Sequence, residues 1–133
     1  RNLTKMKAWF KQIVSAVDYM HEKNLIHRDL KPCNILFLEE DHLQICDMGI
    51  VTDRVFENGV EITTTQTGLG TREYMSPEQQ SWLSRFYAKS DVFTLGLILA
   101  EMCVVMTKEK KNEIFDNYRA GIPNNDIFED VET

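Results

Sequence analysis

Residues 90–106 read SDVFTLGLILAEMCVVM, and from Val92 to Met106 the one charge is Glu101. A helix that is apolar on nearly every side can satisfy itself only at the centre of a packed domain. The run is too short for a membrane span, which needs roughly 20 such residues. The prediction is a central helix over 90–106, capped by Ser90 or Asp91, with the rest of the chain packed around it. A chain of 133 residues with 43% hydrophobic and 27% charged residues suffices for one modest globular domain and not for two.

Apolar residues at Met6, Trp9, Phe10, Ile13, Val14, Val17 and Met20 follow helical spacing, which predicts a helix from Thr4, as N-cap, to His21, ended by Asn24. LIH (25–27), ILFL (35–38) and LQIC (43–46) predict short strands, the last two joined by the polar turn Glu39-Glu40-Asp41-His42. Periodicity is lost over 53–71, which predicts a long mobile segment of the kind that carries function. Ser76-Pro77-Glu78 restarts a helix with Pro77 at its first position. NEIFDNYRAG (112–121) predicts a short amphipathic helix closed by Gly121. The expected fold class is α+β, mainly helical, with short antiparallel strand pairs around the polar loop at 27–34.

The formal net charge of −6 disfavours nucleic acid and anionic lipid as partners of this segment. Cys33, Cys46 and Cys103 form neither a zinc spacing nor a disulfide framework and predict small buried side chains in a reducing compartment. The opening RNLTKMKAWF has no basic-then-apolar signal pattern, so a soluble, cytoplasmic protein is expected. His21 and His42 lack metal-ligand spacing and predict ordinary surface or helix-end residues. Trp9, Trp82 and the six methionines are assigned to the core.

The loop HRDLKPCN (27–34) places Asp29 between basic residues and ends on Asn34. CDMG (46–49) follows a strand, GLGTREYMSPEQ (68–79) ends the mobile segment, and SDVFTLGLILAE (90–101) opens the central helix. These four pieces, in this order, resemble the C-terminal lobe of eukaryotic protein kinases over nearly the whole chain. The resemblance implies a partial kinase domain over 1–133, with catalytic loop 27–34, activation segment 47–78, central helix 90–106 and substrate-facing helix 112–120. It implies ATP and Mg²⁺ as cofactors and a protein Ser/Thr hydroxyl as acceptor.

By the same resemblance, Asp29 orients the acceptor hydroxyl and takes its proton, and Lys31 steadies the transferring phosphate. Asn34 and Asp47 supply oxygen ligands to magnesium, Leu36 lies under the adenine, and Thr71 bridges Asp29 and Lys31. His27 packs within the loop and Asp91 holds the loop backbone from the central helix. Arg28 grips a phosphate added at Thr63, Thr64, Thr65 or Thr67.

GTREYMSPEQ, DVFTLGLILAEM and IFDNYRAGIPNNDIF are more closely similar to the kinases of the alpha subunit of translation initiation factor 2, which implies that subunit as the protein substrate. Two departures stand out. Met48 occupies a position where Phe is usual, and Asp116 falls in the substrate-facing helix where a small hydroxyl residue is expected. No Gly-rich phosphate loop or Val-Ala-x-Lys strand precedes Arg1, so the stretch is expected to be an excerpt of an active kinase that binds ATP weakly by itself. The alternative is a truncated, non-catalytic interaction module. Exposed apolar faces of 90–106 predict self-association and marginal stability in isolation.

Overall fold

The computed structural model describes residues 2–65, 70–81 and 84–124. Helix α1 (Leu3–Glu22) leads to β1 (Leu25–Ile26), a single 3₁₀ turn at Pro32–Asn34, and the hairpin β2 (Ile35–Glu39) and β3 (His42–Ile45). Strands β4 (Thr52–Asp53), β5 (Val55–Glu57), β6 (Val60–Ile62) and β7 (Thr64–Thr65) follow, then a second 3₁₀ turn at Arg72–Tyr74. The short helix α2 (Pro77–Gln80), β8 (Arg85–Phe86), α3 (Ala88–Cys103) and α4 (Lys108–Ala120) complete the described elements. The strands form antiparallel pairs: β1 with β4, β2 with β3, β5 with β6, β7 with β8. The mainly helical, α+β reading and its short strand pairs agree with this architecture.

Helix α3 is the centre, as its composition requires. Leu95 and Ile98 on one side join Ile13 and Val17 of α1, together with Leu30 and Ile45, in the larger core cluster. Leu97 on another side meets Tyr74 and the α4 residues Ile114 and Phe115 in a second cluster. One helix therefore positions both α1 with its following loop and α4 with the turn at 72–74.

Several boundaries differ from the expectation. The side chain of Asn2, not Thr4, caps α1 by accepting from the Lys5 amide. Helix α3 starts two residues before Ser90, with Tyr87 as its cap position. The Ser90 hydroxyl accepts from the Tyr87 amide, and the Asp91 carboxylate is directed elsewhere. The helix stops at Cys103, so Val104–Met106 are not helical. Helix α4 begins at Lys108, four residues before the expected start at Asn112, because the Thr107 hydroxyl accepts from the Lys110 amide. Gly121, at φ 72°, closes it as expected.

The segment 53–71 is not structureless. Asn58 (φ 50°) and Gly59 (φ 76°) turn the chain in a two-residue hairpin with Glu57 paired to Val60. Both central residues need positive φ there, which is why Asn-Gly marks such turns. Cys33 is exposed rather than buried, Met48 is half exposed, and Trp9 is half-buried with its Nε1 donating to Asp41 Oδ1 at 3.0 Å. Trp82 lies outside the described residues, as does Thr67; so does the side chain of Thr65.

Candidate active site

The 27–34 loop spans the gap between β1 and β2 over the first turns of α3. The Asp91 carboxylate fixes it: Oδ2 accepts from the His27 amide at 2.9 Å and Oδ1 from the Arg28 amide at 3.0 Å. Asp91 is 2% exposed, so it is a buried charge whose oxygens must be filled to be tolerated. The two amide bonds hold Arg28 at φ 73°, a left-handed conformation uncommon for a non-glycine residue. The His27 ring is fully buried. Its Nδ1 accepts from the Asp29 amide at 3.2 Å, which leaves Nε2 to donate to the Cys46 carbonyl at 3.1 Å. One histidine thus ties the 27–34 loop to the end of β3.

Asp29, Lys31 and Thr71 converge. The Thr71 hydroxyl donates to Asp29 Oδ1 at 2.8 Å and accepts from Lys31 Nζ at 2.6 Å, while Lys31 Nζ lies 3.8 Å from Asp29 Oδ2. Gly70 makes that approach possible. It sits at φ 90°, and a Cβ there would come within 3.3 Å of the Arg28 carbonyl and 3.2 Å of the Met75 methyl. A carboxylate with a cation and a hydroxyl beside it can accept a proton from an incoming hydroxyl and steady negative charge next to it.

Asn34 and Asp47 are brought together by the pairing that follows. The Asn34 carbonyl accepts from the Cys46 amide at 2.8 Å, immediately before Asp47. The buried Asn34 side chain donates through Nδ2 to the Asp29 carbonyl at 2.7 Å, which orients its Oδ1 away from that bond. Asp47 is exposed at φ 61°. Among the described residues no three His, Cys, Asp or Glu side chains group as a metal site. One amide oxygen and one carboxylate are hard donors suited to magnesium, which takes its remaining ligands from phosphate and water. Leu36, on β2, is 49% exposed and presents an apolar side chain to solvent.

Arg28 is 8% exposed. Its Nε donates to the Ile50 carbonyl at 2.6 Å and its guanidinium lies 4.4 Å from the centre of the Phe86 ring. Burial lowers its pKa and the Asp91 charge opposes that shift. Thr64 pairs with Phe86 across β7 and β8, so its backbone runs beside the residue whose ring faces Arg28. Thr63 is exposed.

Sequence reasoning missed five supporting residues. His21 is not an ordinary helix-end residue: its Nε2 meets Asp91 Oδ2 at 2.9 Å. Arg54 and Glu61 form a forked pair, Nε to Oε1 at 3.1 Å and a terminal nitrogen to Oε2 at 2.8 Å; the Asn-Gly turn between them was the available signal. Lys111 reaches Glu73 at 2.8 Å and Glu101 at 3.3 Å, tying α4 to the turn after Thr71. Arg119 adds a second tie, donating to the Met75 carbonyl at 2.8 Å and to the Glu73 carbonyl. His42 is exposed, as expected.

Comparison with known proteins identifies a match to the protein kinase domain over residues 2–128. The interferon-induced, double-stranded RNA-activated protein kinase of Rattus norvegicus is 48% identical over 124 residues, covering 92% of this chain and 23% of that protein. The eukaryotic translation initiation factor 2-alpha kinase pek-1 of Caenorhabditis elegans is 36% identical over 136 residues, covering 91% of this chain and 12% of that protein. An eIF-2-alpha kinase, GCN2 of Rattus norvegicus, is 35% identical over 154 residues, covering 99% and 9%. The chain thus spans under a quarter of the length of these relatives.

Proposed function

The chain belongs to the protein kinase domain family, and on that premise we propose that it is the C-terminal lobe of a serine/threonine kinase that phosphorylates the alpha subunit of translation initiation factor 2 in the cytoplasm. The observation that carries the reading is the Thr71 hydroxyl set between Asp29 and Lys31, in a loop clamped by Asp91. Asp29 accepts the proton of the acceptor hydroxyl, and Lys31 lies where it can balance charge on the transferring group. Asn34 and Asp47 hold magnesium, and Leu36 supports the adenine. Bound Mg²⁺-ATP supplies the phosphoryl group and neutralises the charge that develops on it. The names of two of the relatives, pek-1 and GCN2, support the substrate. No helix among the described residues is long and apolar enough to cross a membrane.

Regulation belongs to the same reading. A phosphate on the run Thr63, Thr64, Thr65 and Thr67 is taken up by Arg28, whose side chain exchanges the Ile50 carbonyl for the stronger charge-assisted bond.

Phosphotransfer from Mg²⁺-ATP to the purified alpha subunit, measured on the protein in its full natural length, tests this. Asp29→Asn is expected to lower turnover by on the order of 10²–10⁴-fold, as loss of a general base does. Asp47→Ala is expected to remove Mg²⁺-ATP binding in calorimetry. Transfer that survives both substitutions overturns the assignment.

A further inference from the structure

His21 and Asp91 meet beneath the 27–34 loop from two different helices, 2.9 Å apart and 70 residues apart in sequence. Their relative position therefore depends on how the end of α1 sits against the start of α3. The Arg54–Glu61 pair touches both. Arg54 donates to the His21 carbonyl at 3.0 Å, and its own amide donates to the Asn24 carbonyl at 2.7 Å, so it grips the last turn of α1. Glu61 accepts from the Ala88 amide at 2.9 Å, at the first residue of α3 and one turn before Asp91. Two forked hydrogen bonds join the pair. Its side chains are only 23% and 13% exposed, which reduces the solvent screening that weakens surface ion pairs.

We propose that Arg54 and Glu61 are positioning residues for the catalytic loop: one ion pair fixes both helices whose His21 and Asp91 side chains hold it. Asp91 then presents its oxygens to the His27 and Arg28 amides at the separation observed. Arg54 is suited to the task in a way a lysine is not. Its planar fork engages Glu61 with two nitrogens while the third reaches the His21 carbonyl. The catalytic part of this inference rests on the reading of Asp29 given above; the structural part does not.

Hydrogen exchange of the His27 and Arg28 amides in the protein of full natural length is the direct test, with Arg54→Gln, Glu61→Gln and the double substitution. Exchange is expected to quicken by roughly tenfold in each single variant and no further in the double, because the two residues act as one unit. Lys110→Gln, which breaks the exposed Lys110–Glu113 pair, leaves it unchanged. Phosphotransfer by the single variants is expected to lose kcat on the order of tenfold with KM for Mg²⁺-ATP unaltered, within the range that small misplacements cost. If Arg54→Gln fails to fold, Arg54→Lys, keeping the charge without the fork, gives an intermediate exchange rate. Wild-type exchange at His27 and Arg28 in folded variants overturns the proposal. Quickened exchange in the variants, with no phosphate transfer by the wild-type protein, supports the positioning role while removing the catalytic reading.

Discussion

The Thr71 hydroxyl donates to Asp29 Oδ1 at 2.8 Å across 42 positions of sequence, and it is the single side-chain bond between the segment before α2 and the carboxylate of the 27–34 loop among the described residues. Because the same oxygen accepts from Lys31, one hydroxyl fixes the spacing of an acid and a cation. Thr71→Val keeps the shape and removes both bonds. Turnover is expected to fall by about tenfold or more, Thr71→Ser to restore most of it, and the melting temperature to move little, since the residue is not in the core. Equal turnover in Thr71→Val and wild type, in a steady-state phosphotransfer assay, removes Thr71 from the site.

Much of this geometry was legible in the sequence because it rests on short local patterns. The apolar run 92–103 could only be central, and HRDLKPCN followed by CDMG fixed which side chains share a loop and the strand end beside it. The parts that were not legible depend on long separations. Nothing near His21 announces Asp91, and nothing in the basic run 108–111 distinguishes Lys111, which meets Glu73 and Glu101, from Lys110, which makes an ordinary surface pair. The hairpin at 55–62 was readable from Asn58-Gly59 and was lost under the threonine-rich composition that follows it. Thr4 and Ser90 are good capping residues, yet Asn2, a stronger N-cap than Thr, caps α1, and Tyr87 takes the cap position of α3 with the Ser90 hydroxyl accepting from its amide.

Glu61 gives the fold a pH dependence with a definite sign. Burial pushes its pKa up, but the bonds from Arg54 and the Ala88 amide outweigh that, and the carboxyl is held below the usual glutamate range. A carboxyl depressed in the folded state contributes stability that is complete above the ordinary carboxylate range. That stability is lost as pH falls through the folded value. Chemical denaturation midpoints measured from pH 7 to pH 3 are expected to drop less steeply in Glu61→Gln than in wild type. Parallel pH profiles for the two proteins contradict the assignment.

Helix α3 leaves part of its apolar surface uncovered. Val92 and Leu99 are 55% and 38% exposed and border a cavity of about 370 Å³ that Phe93, Leu97 and Tyr118 also line. Exposed apolar area of this kind promotes association. Sedimentation velocity of the 133-residue chain is expected to show species larger than 15.5 kDa, and the pair Val92→Lys and Leu99→Lys to return it toward that mass. A monomer at every concentration counts against an adhesive α3 face.

Lys111 holds α4 to the turn that follows Thr71, and its loss separates a stability effect from a local charge effect. Burial alone would lower its pKa, but Glu73, Tyr74 and Glu101 outweigh that and hold it above the ordinary lysine range. Burial also raises Tyr74, helped by the Glu101 carboxylate that accepts its hydroxyl at 2.7 Å. Lys111→Met leaves Glu73 and Glu101 without the cation between them, at an expected cost of about 1–3 kcal/mol in urea denaturation. Since the folded lysine pKa is raised, this contribution is fully present below the unfolded value and fades only as pH rises through the folded one, so the cost should be constant from pH 6 to 9. Adding Glu101→Gln to Lys111→Met relieves the carboxylate pair while keeping an acceptor for Tyr74, and it should recover part of the loss. A double variant that loses the sum of two independent costs would mean that Lys111 and Glu101 do not share one cluster.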